Sequence, residues 1–283
     1  MKVVVTGVRG QLGYDVVKEL SARGHEAVGI DIAELDITDE SAVSEYFLSV
    51  RPDALIHCAA YTATDKAEDE PELCHRVNAD GTGNLALACQ EIGARMLYIS
   101  TDYVFDGKGD TPFRTDDKIA PLSVYGKTKY EGEARVRDVL DEYFIVRISW
   151  VFGINGKNFI RTMLRLAEDR DTVSVVCDQI GSPTYTKDLA PLLCDMIQSD
   201  KYGTYHATNE GYCSWYELAC HTFEAAGLDM KVEPITSDKF PAKIKRPENS
   251  RLDKSTFDEN GFSRLPDWKD AVSRYVAEFK QMQ

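Results

Sequence analysis

Lys2-Val3-Val4-Val5-Thr6-Gly7-Val8-Arg9-Gly10-Gln11-Leu12-Gly13 follows directly on Met1. The apolar run to Thr6 reads as a strand buried on both faces. Three glycines then punctuate the chain, and from Gln11 to Ala22 the apolar spacing becomes helical. In a strand, glycine turn and helix in that order, the backbone can turn sharply and approach a pyrophosphate. The phosphate then rests on free N–H groups at the helix N-terminus. The spacing is GxxGxxG where the common form is GxGxxG, yet the glycines meet the same physical needs. Gly7, Gly10 and Gly13 are therefore candidate dinucleotide-binding residues.

Outward from this unit the alternation continues. Strand-like runs lie at Glu26–Ile30, Ala54–Cys58, Met96–Ser100 and Phe144–Ile148, with helical patterns at Glu40–Val50, Pro71–Ile92 and Ser123–Leu140. Such alternation predicts an α/β fold, a Rossmann-type doubly wound parallel sheet with right-handed crossovers. After Trp150 the pattern weakens. Helices are expected at Asn158–Glu168, Lys187–Gln198 and Trp215–Ala226, and short strands at Val173–Val176, Thr204–His206 and Lys231–Pro234. The expected division is a dinucleotide-binding domain over 1–150. A smaller C-terminal substrate-binding lobe over 151–283 returns some elements to it. The stretch Ser237–Ser250 carries Pro241, Pro247 and a cluster of Lys239, Lys243, Lys245 and Arg246.

Composition narrows the partners. The 283 residues carry 47 acidic and 33 basic side chains, a formal charge of −14. That balance argues against nucleic acid and anionic membranes, which select basic faces. No apolar run reaches the roughly 20 residues of a membrane span. Seven scattered cysteines without a CxxC pair point to reduced thiols and a cytoplasmic setting.

Asp31 ends the second strand, about 18 residues beyond Gly13. A carboxylate there can accept ribose hydroxyls, which favours NADH. Arg9, inside the glycine loop, can pair with a 2′-phosphate, which favours NADPH. Both cofactors stay open. Asp36 and Ile37 stand at the expected edge of the adenine pocket.

Tyr125 and Lys129 are four residues apart on a predicted helix and so share a face. A phenol titrates near pH 10, too high for ready proton transfer at neutrality. An ammonium beside it should stabilise the phenolate and lower that value. Ser100-Thr101-Asp102 falls at the carboxyl end of the fourth strand, where open α/β sheets bind ligands. A hydroxyl there can hold a carbonyl oxygen; Thr101 is preferred to Ser100. Asp102 can accept a sugar hydroxyl.

Together these residues resemble the extended short-chain dehydrogenase/reductase family. The resemblance spans nearly the whole chain. It rests on Thr6–Gly13, Ala59–Glu68, Val77-Asn78-Ala79, Ser100–Phe105, Val124–Lys129, Arg147–Trp150, Asp178–Thr184 and Arg246–Ser250. It implies cofactor contacts at Gly10, Gln11, Leu12, Asp31, Asp36, Ile37, Ala60, Tyr61, Thr62, Tyr125 and Lys129. It implies sugar-nucleotide contacts at Thr101, Asp102 and Trp150. Arg246 adds a guanidinium suited to a diphosphate. Some members are dimers bridged by magnesium through acidic side chains. The position expected to supply one acid is Lys187 here, so no metal is assigned and a monomer or weak homodimer is expected. The implied activity is reduction of the C4 ketone of a nucleotide-linked deoxy-sugar by NADPH or NADH. Rival readings are a sugar-nucleotide epimerase or dehydratase, and a non-catalytic regulatory subunit of the kind that partners methionine adenosyltransferase.

Overall fold

The computed structural model describes residues 1–240 and 243–282, which leaves Pro241 outside the described residues. The first half runs β1 (Lys2–Thr6), α1 (Gln11–Ala22), β2 (Glu26–Ile30), α2 (Glu40–Val50), β3 (Ala54–His57), α3 (Thr64–Ala67) and α4 (Pro71–His75). It continues with α5 (Gly81–Ile92), β4 (Arg95–Thr101), α6 (Val124–Val139) and β5 (Tyr143–Ile148). Beyond it come β6 (Val151–Phe152), α7 (Phe159–Leu166), β7 (Thr172–Val176), β8 (Ile180–Gly181), β9 (Thr184–Tyr185), α8 (Thr186–Ile197) and β10 (Gly203–His206). The chain closes with β11 (Cys213–Ser214), α9 (Trp215–Ala226), β12 (Lys231–Ile235), β13 (Asn249–Ser250), α10 (Ser255–Asn260) and α11 (Trp268–Gln281).

Six parallel strands form one sheet in the order β10-β5-β4-β3-β1-β2. The inner strands β1, β3, β4 and β5 are buried on both faces, because helices cover both sides. On one side Leu12, Val16 and Leu20 of α1 pack with Leu189, Leu193 and Ile197 of α8. On the other, Val43 and Phe47 of α2, Leu85 of α5 and Val136 of α6 close a second core. The chain leaves β1 towards β2 on one side and reaches β3 on the other. The crevice between the carboxyl ends of β1 and β3 is thus the topological switch point, the expected ligand site of such sheets.

Local chemistry explains the helix ends. Asp39 caps α2 by accepting from Ala42 N, and Ser123 caps α6 by accepting from Gly126 N. The predicted single helix over Pro71–Ile92 is interrupted by a π-helical turn at Arg76–Asp80. There Asn78 Oδ1 accepts from Tyr61 N at 2.8 Å, and its amide donates to Cys74 and Thr128. These tertiary bonds hold the widened turn, which periodicity alone does not register.

The later residues build a smaller set of β pairings, β11-β8-β13, β12-β7 and β6-β9, around Phe152, Tyr185, Trp268 and Tyr275. β10 instead joins the large sheet beside β5. Among the described residues no helix is long and apolar enough to cross a membrane.

Candidate functional site

A cleft of about 670 Å³ opens at the carboxyl edge of the large sheet. Its floor begins at the glycine turn. Gly7 has φ +69, and a Cβ there would lie 2.8 Å from Ala59 N. A Cβ on Gly13 would strike the Gly7 carbonyl. Only glycine therefore lets β1, α1 and the end of β3 meet this closely. Gly10 precedes α1 without a side-chain cap, so the first-turn N–H groups of the helix are available to an anion. Gln11 and Leu12 line the cleft there. The Gln11 amide oxygen is bound by Gly153 N at 2.9 Å and Asn158 at 3.0 Å. This is a cradle with the shape and polarity that a dinucleotide pyrophosphate requires.

Asp31 borders the same cleft. Its carboxylate accepts from Arg9 N at 3.0 Å and Ile32 N at 2.9 Å. The Arg9 guanidinium is swung outward onto Glu34, 2.8 Å away. Ala60 and Thr62 line the cleft as well. Tyr61, between them, turns away and donates its hydroxyl to Glu70 at 2.7 Å. Asp36 is exposed and binds Thr38, while Ile37 is buried in the core behind β2. Neither lies on the cleft wall.

The chemistry-bearing residues meet on the opposite side. Thr101 ends β4, where it accepts from Tyr103 N at 3.2 Å and donates to Asp102 at 3.0 Å. Asp102 is buried, and its Oδ2 has no partner. Burial raises its acid to about 6, against the nearby Ser250 and Thr101 hydroxyls, which lower it. Tyr125 lies in the first turn of α6, with the Tyr103 ring edge-on at 5.5 Å. A Cβ on Gly126 would strike the Tyr103 carbonyl, so glycine lets α6 press this closely on the loop after β4.

Lys129 is buried one turn later. Its ammonium donates to the Ile99 carbonyl at 2.7 Å and lies 4.1 Å over the Tyr98 ring. Burial lowers its pKa to about 7, against the Glu133 carboxylate, which raises it. The predicted lowering of Tyr125 by Lys129 is not found. Burial is the largest influence on Tyr125 and holds its phenol above the ordinary value, a shift that the Thr101 hydrogen bond only eases. The reason is geometric: Lys129 is turned to the sheet and spends its charge on Ile99 and Tyr98.

Trp150 projects into the cleft from a left-handed backbone, φ +49. Its indole stacks on Trp215 at 3.8 Å and 17°, and a Cβ on Gly181 would come within 2.9 Å of it. Arg246 stands off the cleft wall. It bonds Asp65 at 3.1 Å, and its Nε is buried without a partner. Its charge still reaches Tyr103, a cleft residue. Lys187 pairs with Glu278 at 3.0 Å, far from this chemistry in the sequence.

Sequence reasoning missed several lining residues, among them Trp215, Ser149, Lys157 and Asn155. Asn155 donates to the Arg9 and Gly10 carbonyls at 3.1 and 3.3 Å, bracing the glycine turn from the later half of the chain. A turn residue of this kind carries no periodic signal. Trp215 carries one only in being a large aromatic at a helix start.

Comparison with known proteins follows the same outline. The family model described as the RmlD substrate binding domain matches residues 1–281. A dTDP-4-dehydrorhamnose reductase of Mycolicibacterium smegmatis is 41% identical over 98% of this chain and 85% of its own length. The crystal structure of a dTDP-4-dehydrorhamnose reductase from Clostridium acetobutylicum has a TM-score of 0.97 and 41% identity, covering 99% of this chain and 100% of that one. That of the Bacillus anthracis reductase, in complex with NADP, has a TM-score of 0.94 and 41% identity, covering 98% and 99%.

Proposed function

The chain belongs to the family of the RmlD substrate binding domain, and from that premise we propose that it reduces the C4 ketone of dTDP-4-dehydro-L-rhamnose to give dTDP-L-rhamnose. The observation that carries this reading is one cleft with Thr101, Tyr125 and Lys129 on one side and the glycine turn of α1 on the other.

NADPH or NADH, when bound, supplies the hydride. Gly7, Gly10 and Gly13 with the first turn of α1 hold the pyrophosphate, and Asp31, Ala60 and Thr62 border the adenosine half. Asp36, Ile37 and Tyr61 act from behind, by shaping the loops they anchor. Thr101 turns its hydroxyl from Asp102 to hydrogen-bond the ketone oxygen, keeping its own proton, and holds that oxygen in place. Tyr125 delivers a proton to that oxygen as it becomes an alcohol. The phenol is protonated at neutral pH, as a donor in the reductive direction must be, although burial makes it the weaker acid. Lys129, on the cleft lining, binds the nicotinamide ribose. Asp102 accepts a sugar hydroxyl through its unpartnered Oδ2, Trp150 forms the sugar wall, and Arg246 leaves Asp65 for the diphosphate. Residues 151–283 serve mainly as the substrate lobe. The setting proposed is cytoplasmic, in line with seven free cysteines, and the protein works as a monomer or weak homodimer.

The test is nicotinamide absorbance with dTDP-4-dehydro-L-rhamnose and other nucleotide-linked 4-keto-sugars. Stoichiometric loss of NADPH or NADH supports the reductase. Turnover without added cofactor would support an epimerase, and no oxidation with any keto-sugar would remove the reading.

A further inference from the structure

The helix that carries Tyr125 and Lys129 carries one more polar residue on the same face, a further turn along: Glu133. It is fully buried, as is Arg147 on β5. Glu133 Oε1 accepts from Ser100 Oγ at 2.6 Å and Arg147 Nε at 2.8 Å. Oε2 accepts from Arg147 Nη2 at 2.8 Å and Arg137 Nη2 at 2.7 Å. Arg147 also donates to the Thr115 carbonyl at 3.2 Å and lies 3.4 Å from His206 Nε2 on β10. One carboxylate thus ties α6 to β4 and β5, and through Arg147 reaches β10. A buried ion pair of this kind contributes little stability over an apolar pair of similar volume, so stability alone does not account for it.

Its neighbours suggest what does. Ser100 directly precedes Thr101, and Glu133 lies one turn below Lys129. The titratable groups facing Lys129 are Tyr125 and Glu133 from α6, His57 and Cys58 from the end of β3, Cys74 from α4 and Tyr98 from β4. Burial raises both thiols and both phenols and pushes His57 well below its ordinary value. All five are uncharged at neutral pH. Burial would raise Glu133 too, but the Arg147 hydrogen bond and the charges of Arg147 and Arg137 hold it below the ordinary range. Among the described residues that face Lys129, Glu133 alone carries a charge.

We propose that Glu133 is a positioning residue for the catalytic pair: its carboxylate keeps Lys129 charged inside the cleft and, through Ser100, fixes the strand end that presents Thr101. The proposal rests on the assignment of Lys129 to the cofactor ribose. The charged amine binds hydroxyls more strongly than the neutral one, so cofactor affinity should fall as pH rises through the Lys129 titration near 7.

The experiment is a fluorescence titration with NADH, which lacks a 2′-phosphate titrating near pH 6, from pH 5 to 9. Wild type should show an inflection that Lys129→Met abolishes. Glu133→Gln keeps the size and removes the charge. Its inflection should move to lower pH by roughly one to two units, the scale of a unit charge one helical turn away. Glu133→Asp keeps the charge and should keep the inflection near its wild-type place, whatever its thermal stability. Arg137→Gln, at a partly exposed site, should move the inflection to higher pH, and serves if Glu133→Gln fails to fold. A uniform loss of affinity at every pH in Glu133→Gln, or an equal shift in Glu133→Asp and Glu133→Gln, would overturn the proposal, as would an unmoved inflection in Arg137→Gln. A wild-type curve unaffected by Lys129→Met would overturn the ribose assignment beneath it as well.

Discussion

The ammonium of Lys129 donates to the backbone carbonyl of Ile99 at 2.7 Å and lies 4.1 Å over the Tyr98 ring, so the sheet holds a buried amine at the cleft lining. That burial has a thermodynamic signature. The folded pKa of about 7 lies below the ordinary lysine value of 10.5, so the native state binds fewer protons between those limits. Stability from this group therefore rises with pH across that window. Lys129→Met removes the dependence. Denaturation by urea at pH 7 and pH 9.5 should show the variant gaining on wild type most at the lower pH. A constant difference would contradict the depressed pKa.

Asp102 has the opposite sign. Its acid is raised to about 6 from 3.8 by burial, so the native state binds more protons between about pH 4 and 6, and stability falls as pH climbs through that range. Asp102→Asn avoids the buried charge. It should be more stable than wild type at pH 7.5, by up to about 3 kcal/mol on the linkage scale, and no more stable at pH 4. The same variant should raise the KM for the sugar nucleotide, because Oδ2 is the acceptor offered to it. Equal stabilisation at both pH values would refute the electrostatic origin.

How legible was this in the sequence? The bounds of α1, α2 and α9 were, because the apolar spacing over Gln11–Ala22, Glu40–Val50 and Trp215–Ala226 is itself helical. The glycine turn and the Tyr125–Lys129 pair were legible as lining of one cleft, because a glycine turn before a helix and an i, i+4 spacing each fix a place in the fold. The strands β6, β8, β9, β11 and β13 were not, since each has two residues and two residues carry no period. Trp215 escaped notice because its role comes from stacking on Trp150, a contact that only the fold creates. The true partners of Lys129 are a backbone carbonyl and a ring on another element, which no helical spacing discloses.

Asp31 already accepts two backbone N–H groups and still borders the cleft. Asp31→Ala should weaken NADH more than NADPH, since the carboxylate favours ribose hydroxyls and repels a 2′-phosphate. Kd values for both cofactors check this. Equal losses would assign Asp31 to holding the glycine loop through Arg9 N alone.

Arg246 is restrained by Asp65 and has a buried Nε left over. Arg246→Ala should raise KM for the sugar nucleotide by about one to two decades, the worth of a charged hydrogen bond, and leave cofactor Kd nearly unchanged. Steady-state kinetics with each substrate varied in turn would separate the two. An unaltered sugar-nucleotide KM would make the residue only a structural partner of Asp65.

Turnover of Tyr125→Phe tests the account most directly. The change removes one hydroxyl from a ring packed on Tyr103 and leaves the fold intact. Loss of a general acid typically costs about 10²–10⁴-fold in rate. Turnover with dTDP-4-dehydro-L-rhamnose and NADPH should therefore fall by at least about two decades while cofactor Kd is retained. Near-wild-type turnover would contradict the assignment of Tyr125 as proton donor and return the regulatory reading of this scaffold to first place.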